Sequence, residues 1–145
     1  MNDSISFTST YSQDNIFAKI LRGELPNHTV LETSHCLAFM DVMPQRDGHV
    51  LVIPKTPAVT LLDLPAPALS ELILCTQRVA KAVQSALDAD GITLMQLNGT
   101  GAGQTVPHIH FHILPGSILG AKAHSTTKSS NEYLAALAKK ISAEL

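Results

Sequence analysis

The spacing of apolar residues along the chain predicts three helices. Between residues 67 and 89 they recur at helical intervals, which predicts a long amphipathic helix that ends at Gly91. A second apolar stripe follows Ser129 and Glu132, a pair that can form a capping box, and this predicts a C-terminal helix. A shorter stretch, Ile16–Leu21, predicts a short helix near the start of the chain.

Short apolar or alternating runs predict the strands. They cover residues 30–32, 36–40, 49–53, 92–97 and 108–113. The last two flank a glycine-rich loop and are expected to pair as antiparallel neighbours. A strand-rich centre with flanking helices indicates an α+β fold: an antiparallel sheet of about five strands with a long central helix, a short N-terminal helix and a C-terminal helix.

Composition is that of one small domain. The chain has 145 residues, and its first 14 are rich in Ser and Thr and poor in apolar residues, which predicts a disordered tail. Residues 15–145 are then expected to form a single domain, with a core over 15–115 and an extension with the last helix over 116–145. No secretory signal, transit peptide or membrane span is predicted. Cys36 and Cys75 are expected to be free thiols in a reducing cytoplasm.

The most informative run is His108-Ile109-His110-Phe111-His112-Ile113, in which histidines alternate with apolar residues. On a strand this alternation directs all the imidazoles to one face and the apolar side chains to the other. Imidazole titrates near neutral pH, so such a face indicates chemistry. The spacing by itself leaves three options open: a metal site completed by another ligand, direct catalysis, and an incidental arrangement of histidines.

The preceding loop, residues 98–105, combines glycines with amide and hydroxyl side chains. Glycines permit close backbone approach and convergent N–H groups, which suits a phosphate. A plain hairpin connection is the alternative explanation for such a loop. The net charge of −2 and the lack of a basic run argue against nucleic acid as a partner, whereas a mononucleotide needs only a local site.

Four segments, which follow one another along the chain in the order found in the histidine triad (HIT) family, resemble that family. The resemblance is greatest to its nucleotide-binding Hint branch of microbial type. They are residues 103–114, 15–26, 36–42 and 48–55. The resemblance implies a HIT-like fold and a purine nucleotide-binding hydrolase that cleaves adenosine phosphoramidates or aminoacyl-adenylates to AMP. Its alternatives are dinucleoside polyphosphate hydrolysis and a nucleotide-binding regulatory module with incidental hydrolysis. Neither a metal nor a cofactor is expected.

The central position of His110 in the trio makes it the candidate nucleophile, and the resemblance implies the same, through a covalent nucleotidyl-histidine. His112 is expected to donate a hydrogen bond to the phosphate or the leaving group. By the resemblance, His108 lies behind the nucleophile and orients it. His49 resembles the fourth histidine of the family, expected to hold the other ring nitrogen of His110.

The same resemblance implies the remaining contacts. Asn98, Gly103 and Thr105 are expected beside the phosphate, and Gln104 near the leaving group. Asp41 is expected to accept the ribose hydroxyls. The base is expected among apolar residues: Ile16, Phe17, Ile20, Phe39, Val42 and Leu51. Apolar surface on the 67–89 helix and the 92–97 strand predicts a homodimer.

Overall fold

A computed structural model describes residues 4–120 and 128–145. Its helices and strands are α1 (Ile16–Leu21), β1 (Thr29–Glu32), β2 (Cys36–Met40), β3 (Val50–Pro54), α2 (Ala66–Leu87), β4 (Ile92–Gln96), β5 (Phe111–Pro115) and α3 (Asn131–Ser142). The predicted α+β fold is confirmed, including the long central helix and the short helix at Ile16–Leu21.

The strands form a five-stranded sheet in the order β1-β2-β3-β5-β4, and each described pair is antiparallel. The chain therefore inserts β5, which ends the histidine run, between β3 and β4. This order places His112 opposite Leu51 on one side and opposite Met95 on the other. Because paired residues of antiparallel strands point to the same face, His112 shares its face with Leu51 and, one strand further, with Phe39.

The two faces of the sheet carry different layers. Helices α2 and α3 cover one face, where Val50, Val52 and Ile113 of the sheet join Leu72 and Val79 of α2 in the main core. The other face carries α1. Burial of apolar area on both faces of β2 and β3 explains why each of these strands is buried along its whole length.

Several predicted element bounds were wrong by one to three residues. Helix α2 ends at Leu87 and not near Ala89, because Asp88 adopts a left-handed conformation with φ +49° and stops the helix before Gly91. Helix α3 is capped by the Ser130 hydroxyl, which accepts from the Tyr133 N–H, and not by Ser129. Within the described part of the chain, no helix is both long and apolar enough to cross a membrane.

The N-terminal segment, residues 4–14, differs from the predicted disordered tail because its backbone finds partners in the domain. The Ile5 N–H donates to Thr100 Oγ1 at 2.7 Å, and the Thr100 N–H donates to the Ile5 carbonyl at 2.8 Å. Ser and Thr composition does not reveal such long-range partners. Residues 1–3 of the tail and residues 121–127 of the predicted C-terminal extension lie outside the described part.

Candidate active site

The histidine run is one-sided as predicted, but its first half, residues 108–110, is not regular strand. Ile109, Phe111 and Ile113 all pack in the core beneath α2, so the imidazoles lie on the opposite face. Strand β5 begins only at Phe111, because the Ile109 N–H donates to the Ala58 carbonyl at 2.9 Å and not to a strand neighbour. His108 and His110 therefore lie in a buried segment that precedes β5.

His110 is a buried neutral imidazole whose tautomer is set by the backbone. Its Nδ1 lies 2.7 Å from the His108 carbonyl, an acceptor, so Nδ1 carries the proton and Nε2 has a free lone pair. Burial lowers the pKa of His110 below its ordinary value, and this carbonyl offsets part of the effect. The edge-on ring of Phe17 lies 5.0 Å away between ring centres. The expectation that His49 holds this nitrogen was wrong.

His49 instead holds His112. The Gln45 N–H donates to His49 Nδ1 at 3.1 Å, so the proton of His49 is on Nε2. That Nε2 lies 2.9 Å from His112 Nδ1 and donates to it. The proton of His112 is therefore on Nε2. The backbone of residue 45 thus sets, through two imidazoles, which nitrogen of His112 presents an N–H.

Burial keeps this histidine pair neutral at physiological pH. Burial first, and then repulsion from a charge on His110, lower the pKa of His49 to about 4. Burial first, and then repulsion from charges on His110 and His49, lower the pKa of His112 to about 3. The His110 and His112 ring centres are 4.8 Å apart. The cluster thereby combines the lone pair on His110 Nε2 with the N–H on His112 Nε2.

His49 owes its position to a sharp turn at Gly48. Gly48 has φ +91°, a left-handed conformation that favours glycine, and it lies against the Leu87 side chain at the end of α2. The turn directs His49 to the site face as it enters β3.

Asp41 lies beside the histidine pair, at the end of β2. Its Oδ1 accepts the Met43 N–H at 2.8 Å, and its Oδ2 is 3.5 Å from His49 Nδ1, beyond hydrogen-bond distance for a nitrogen already engaged by Gln45. Burial raises the pKa of Asp41 to about 6, and the Met43 N–H acts against this shift. Within the described residues, Asp41, His49 and His112 each bring a potential metal-ligand atom within 4.8 Å of the others.

Most N–H groups of the glycine loop, which were predicted to converge on a phosphate, are instead engaged within the chain. The N–H groups of residues 99, 100, 102, 103 and 104 all donate to acceptors within the chain. Gln104, expected near the leaving group, is only 2% exposed, and its amide ties Gly99 to the Val59 and Val106 carbonyls. Asn98 accepts the Leu61 N–H and pairs with Gln96. These amides fix the shape of the loop.

Two of the predicted phosphate contacts lie at the end of the loop. Gly103 has φ +100°, a left-handed conformation that favours glycine, and it turns the chain toward the histidine run. Thr105 follows the buried Gln104 and is exposed. The loop therefore presents the Thr105 side chain to solvent ahead of His108.

Most of the predicted base-binding residues form one apolar cluster on the site face. Phe17, Phe39 and Leu51 are buried together there, with Ile20 packed against them. Phe17 meets Phe39 edge to face at 5.5 Å between ring centres. Two residues differ from this group, since Ile16 is 49% exposed and Val42 is 43% exposed.

Two further groups, which the sequence pattern did not predict, hold the site. Tyr11, inside the supposed tail, lies 2.6 Å from His108 Nδ1 through its hydroxyl. The Pro54 carbonyl lies 2.9 Å from His108 Nε2. An aromatic residue four positions before Asn15, in an otherwise Ser- and Thr-rich stretch, was the available signal for Tyr11. Nothing in the sequence points to a backbone carbonyl at the end of a strand.

The site thus defines a class of protein in which a neutral, buried imidazole with an unprotonated Nε2 lies beside an imidazole N–H donor. The HIT domain family model matches residues 22–118. Adenosine 5'-monophosphoramidase HNT1 of Saccharomyces cerevisiae is 37% identical over 117 residues, 77% of this chain and 72% of that protein. Adenylylsulfatase HINT3 of Arabidopsis thaliana is 35% identical over 108 residues, 74% of this chain and 55% of that protein.

Solved structures agree with the family model. A crystal structure of a HIT-like protein involved in cell-cycle regulation from Bartonella henselae, with an unknown ligand, has a TM-score of 0.88 to this chain. It is 44% identical, and the match covers 94% of this chain and 100% of that one. The chain belongs to the histidine triad (HIT) family, and Hint-branch proteins are among its relatives.

Proposed function

We propose that this protein hydrolyses adenosine phosphoramidates or aminoacyl-adenylates to AMP, with His110 as the covalent nucleophile. The observation that carries the proposal is the 2.7 Å hydrogen bond from His110 Nδ1 to the His108 carbonyl, which leaves Nε2 unprotonated. The relatives named as a monophosphoramidase and an adenylylsulfatase support a substrate in which AMP is joined to a variable leaving group.

In the first step His110 Nε2 attacks the α-phosphorus of a phosphoramidate. The Nε2–P bond forms as the P–N bond breaks, and the leaving nitrogen takes up a proton from solvent water. The His112 Nε2–H donates a hydrogen bond to a non-bridging phosphate oxygen and keeps its proton. While the nucleotide is attached, the imidazole ring of His110 carries positive charge. The His108 carbonyl, which accepts the Nδ1–H, stabilises that charge.

Water completes the reaction. It attacks the phosphorus, the Nε2–P bond breaks, and AMP leaves with the hydroxyl group. The remaining proton of the water passes to the solvent, which balances the proton taken up in the first step, and His110 Nε2 is again unprotonated. Throughout, His49 keeps His112 Nδ1 as an acceptor, so His49 is a positioning residue.

The phosphate is proposed to lie against the exposed Thr105 and the N–H of His112. Gln104, Asn98 and Gly103 act by holding the loop, since the two amides are already bonded within the chain. Asp41 Oδ2 is proposed to accept the ribose hydroxyls, because Oδ1 is engaged by Met43. The base is proposed to lie at the rim of the apolar cluster, against the exposed Ile16 and Val42 and above Phe17, Ile20, Phe39 and Leu51.

The test is AMP release from adenosine 5'-phosphoramidate by the parent chain and by His110→Ala. We expect the variant to lose about a thousandfold or more in kcat while it still binds AMP, since one imidazole is the covalent catalyst but only one of several nucleotide contacts. His35→Ala is the matched control, since His35 is exposed and paired with Glu71. Rapid quench and mass measurement should find an adenylyl group on His110 in the parent; full activity in His110→Ala would refute the mechanism.

Rates on a dinucleoside polyphosphate, measured beside the phosphoramidate, separate the two hydrolase alternatives. A kcat/KM higher for the dinucleoside polyphosphate would replace the proposed substrate class. Tight AMP binding without turnover on either substrate would favour the nucleotide-binding module.

A further inference from the structure

The hydroxyl of Tyr11 makes a short contact with the first histidine of the run. It lies 2.6 Å from His108 Nδ1, although the two residues are 97 positions apart in the chain. The direction of this hydrogen bond follows from the other ring nitrogen. His108 Nε2 faces the Pro54 carbonyl at 2.9 Å, which can only accept, so Nε2 carries the proton. Nδ1 of the neutral ring is then an acceptor, and Tyr11 donates.

The segment that carries Tyr11 is anchored at both ends. At its start, two hydrogen bonds join Ile5 to Thr100 of the glycine loop. At its end, Asn15 caps α1 by accepting the Ala18 N–H at 2.9 Å. Between these anchors the Tyr11 ring meets the His108 ring edge to face, with centres 5.5 Å apart. Both the hydroxyl and the ring of Tyr11 are therefore directed at His108.

The same histidine connects Tyr11 to the nucleophile. Its side chain is held at both nitrogens, by Tyr11 and by Pro54, and its own carbonyl accepts the Nδ1–H of His110. A buried imidazole with both nitrogens engaged has one tautomer and one ring orientation. Two consecutive hydrogen bonds thus lead from the tyrosine hydroxyl to the ring that we propose attacks phosphorus.

We propose that Tyr11 is a positioning residue of the active site, which orients His108 and thereby keeps Nε2 of His110 free and correctly aimed. The proposal rests on the proposed function of His110. Tyr11 bonds to neither His110 nor His112, so it acts through His108 and its carbonyl. The N-terminal segment, residues 4–14, is then part of the site.

The test compares Tyr11→Phe with Tyr133→Phe in the full chain. Phenylalanine keeps the ring contact with His108 and removes only the hydroxyl. Tyr133 is the only other tyrosine, is 42% exposed and lies on α3, so its variant is the matched control. Two readouts are needed: steady-state kinetics on adenosine 5'-phosphoramidate, and the ¹⁵N resonances of selectively labelled histidines, which report tautomer and hydrogen bonding of each ring nitrogen.

We expect Tyr11→Phe to shift the His108 Nδ1 resonance and to lower kcat about five- to tenfold, the rate equivalent of one net hydrogen bond, with KM changed less than about twofold. Tyr133→Phe should match the parent in both readouts. An unchanged His108 resonance, or a loss confined to KM, would overturn the proposal. If the parent chain itself releases no AMP, the proposed function fails, and the resonance by itself decides whether Tyr11 holds His108.

Discussion

His49 and His112 are 63 positions apart in the chain, and their imidazoles share a 2.9 Å hydrogen bond from His49 Nε2 to His112 Nδ1. The bond gives each ring one tautomer, because the Gln45 N–H engages the remaining nitrogen of His49. It explains how a histidine outside the alternating run serves the run. His49 sets the tautomer of His112, the last histidine of the run, whereas a backbone carbonyl sets the tautomer of His110, the central one.

Replacing His49 should therefore impair His112, although His49 itself is not proposed to contact the substrate. We expect His49→Ala to lower kcat about tenfold or more and to destabilise the fold by about 1–3 kcal/mol, because a buried acceptor loses its donor. His49→Gln, which retains an N–H donor, should recover part of both losses. Kinetics on adenosine 5'-phosphoramidate and urea unfolding check this; equal activity of His49→Ala and the control His35→Ala would contradict it.

The neutral histidine cluster predicts loss of stability in acid. The pKa values of His49 and His108 fall to about 4 and that of His112 to about 3 on folding, all from 6.5, because burial disfavours the charged ring. The unfolded chain therefore binds more protons below pH 6.5. Each histidine contributes stability that is complete above that pH and is lost as the pH falls toward 4, with a slope of up to about 1.4 kcal/mol per pH unit.

The contribution of Asp41 to stability changes with pH in the opposite direction. Its pKa is raised from 3.8 to about 6, so its contribution to stability is complete below 3.8 and is lost as the pH rises through 6. One carboxyl offsets only part of the effect of several histidines. The free energy of unfolding, measured in urea at pH 7, 6 and 5, should fall steadily toward the lower pH; a constant value over that range would show that the histidines are not kept neutral.

Activity is expected to survive chelators. The facing nitrogens of His49 and His112 already bond to each other, and the proposed chemistry uses imidazoles and a carbonyl. Turnover before and after dialysis against EDTA should agree. A loss restored by zinc would assign Asp41, His49 and His112 as metal ligands, since their ligand atoms lie within 4.8 Å of one another.

We propose a homodimer through the exposed apolar face formed by α2 and β4. Ile73 on α2 is 43% exposed and Leu94 on β4 is 46% exposed, and β4 is the last strand of the sheet. An apolar patch beside an unpaired strand edge is suited to a two-fold interface. Sedimentation equilibrium at low micromolar concentration should give about twice 15.5 kDa.

Two variants test that face. Leu94→Glu should reduce the mass to that of the monomer, because a charge would be buried in the interface. Leu25→Glu is the control, since Leu25 is similarly exposed, at 38%, but lies just after α1. A parent chain that sediments as a monomer would exclude the interface.

Local pattern determined much of this protein. The spacing of apolar residues in α2 and the alternation in His108–Ile113 follow from the side-chain periods of a helix and of an extended chain. The helix and the one-sided histidines could therefore be predicted. The resemblance of residues 103–114 to the HIT signature identified the family, which the family model confirms. Element ends were less accurate, because Asp88 and Ser130 end or cap helices through conformations that spacing does not reveal.

Tertiary structure decided which group holds which. The partner of His110 Nδ1 is a carbonyl and not His49, and Gln104 bonds the Val59 carbonyl and not a ligand. Tyr11 reaches His108 only because β5 enters the sheet beside β3 and the N-terminal segment packs on the glycine loop. Such contacts join residues far apart in the chain, and backbone donors and acceptors are alike at every position. The sequence therefore determined the chemistry available to this protein, and the fold decided the tautomer of each imidazole.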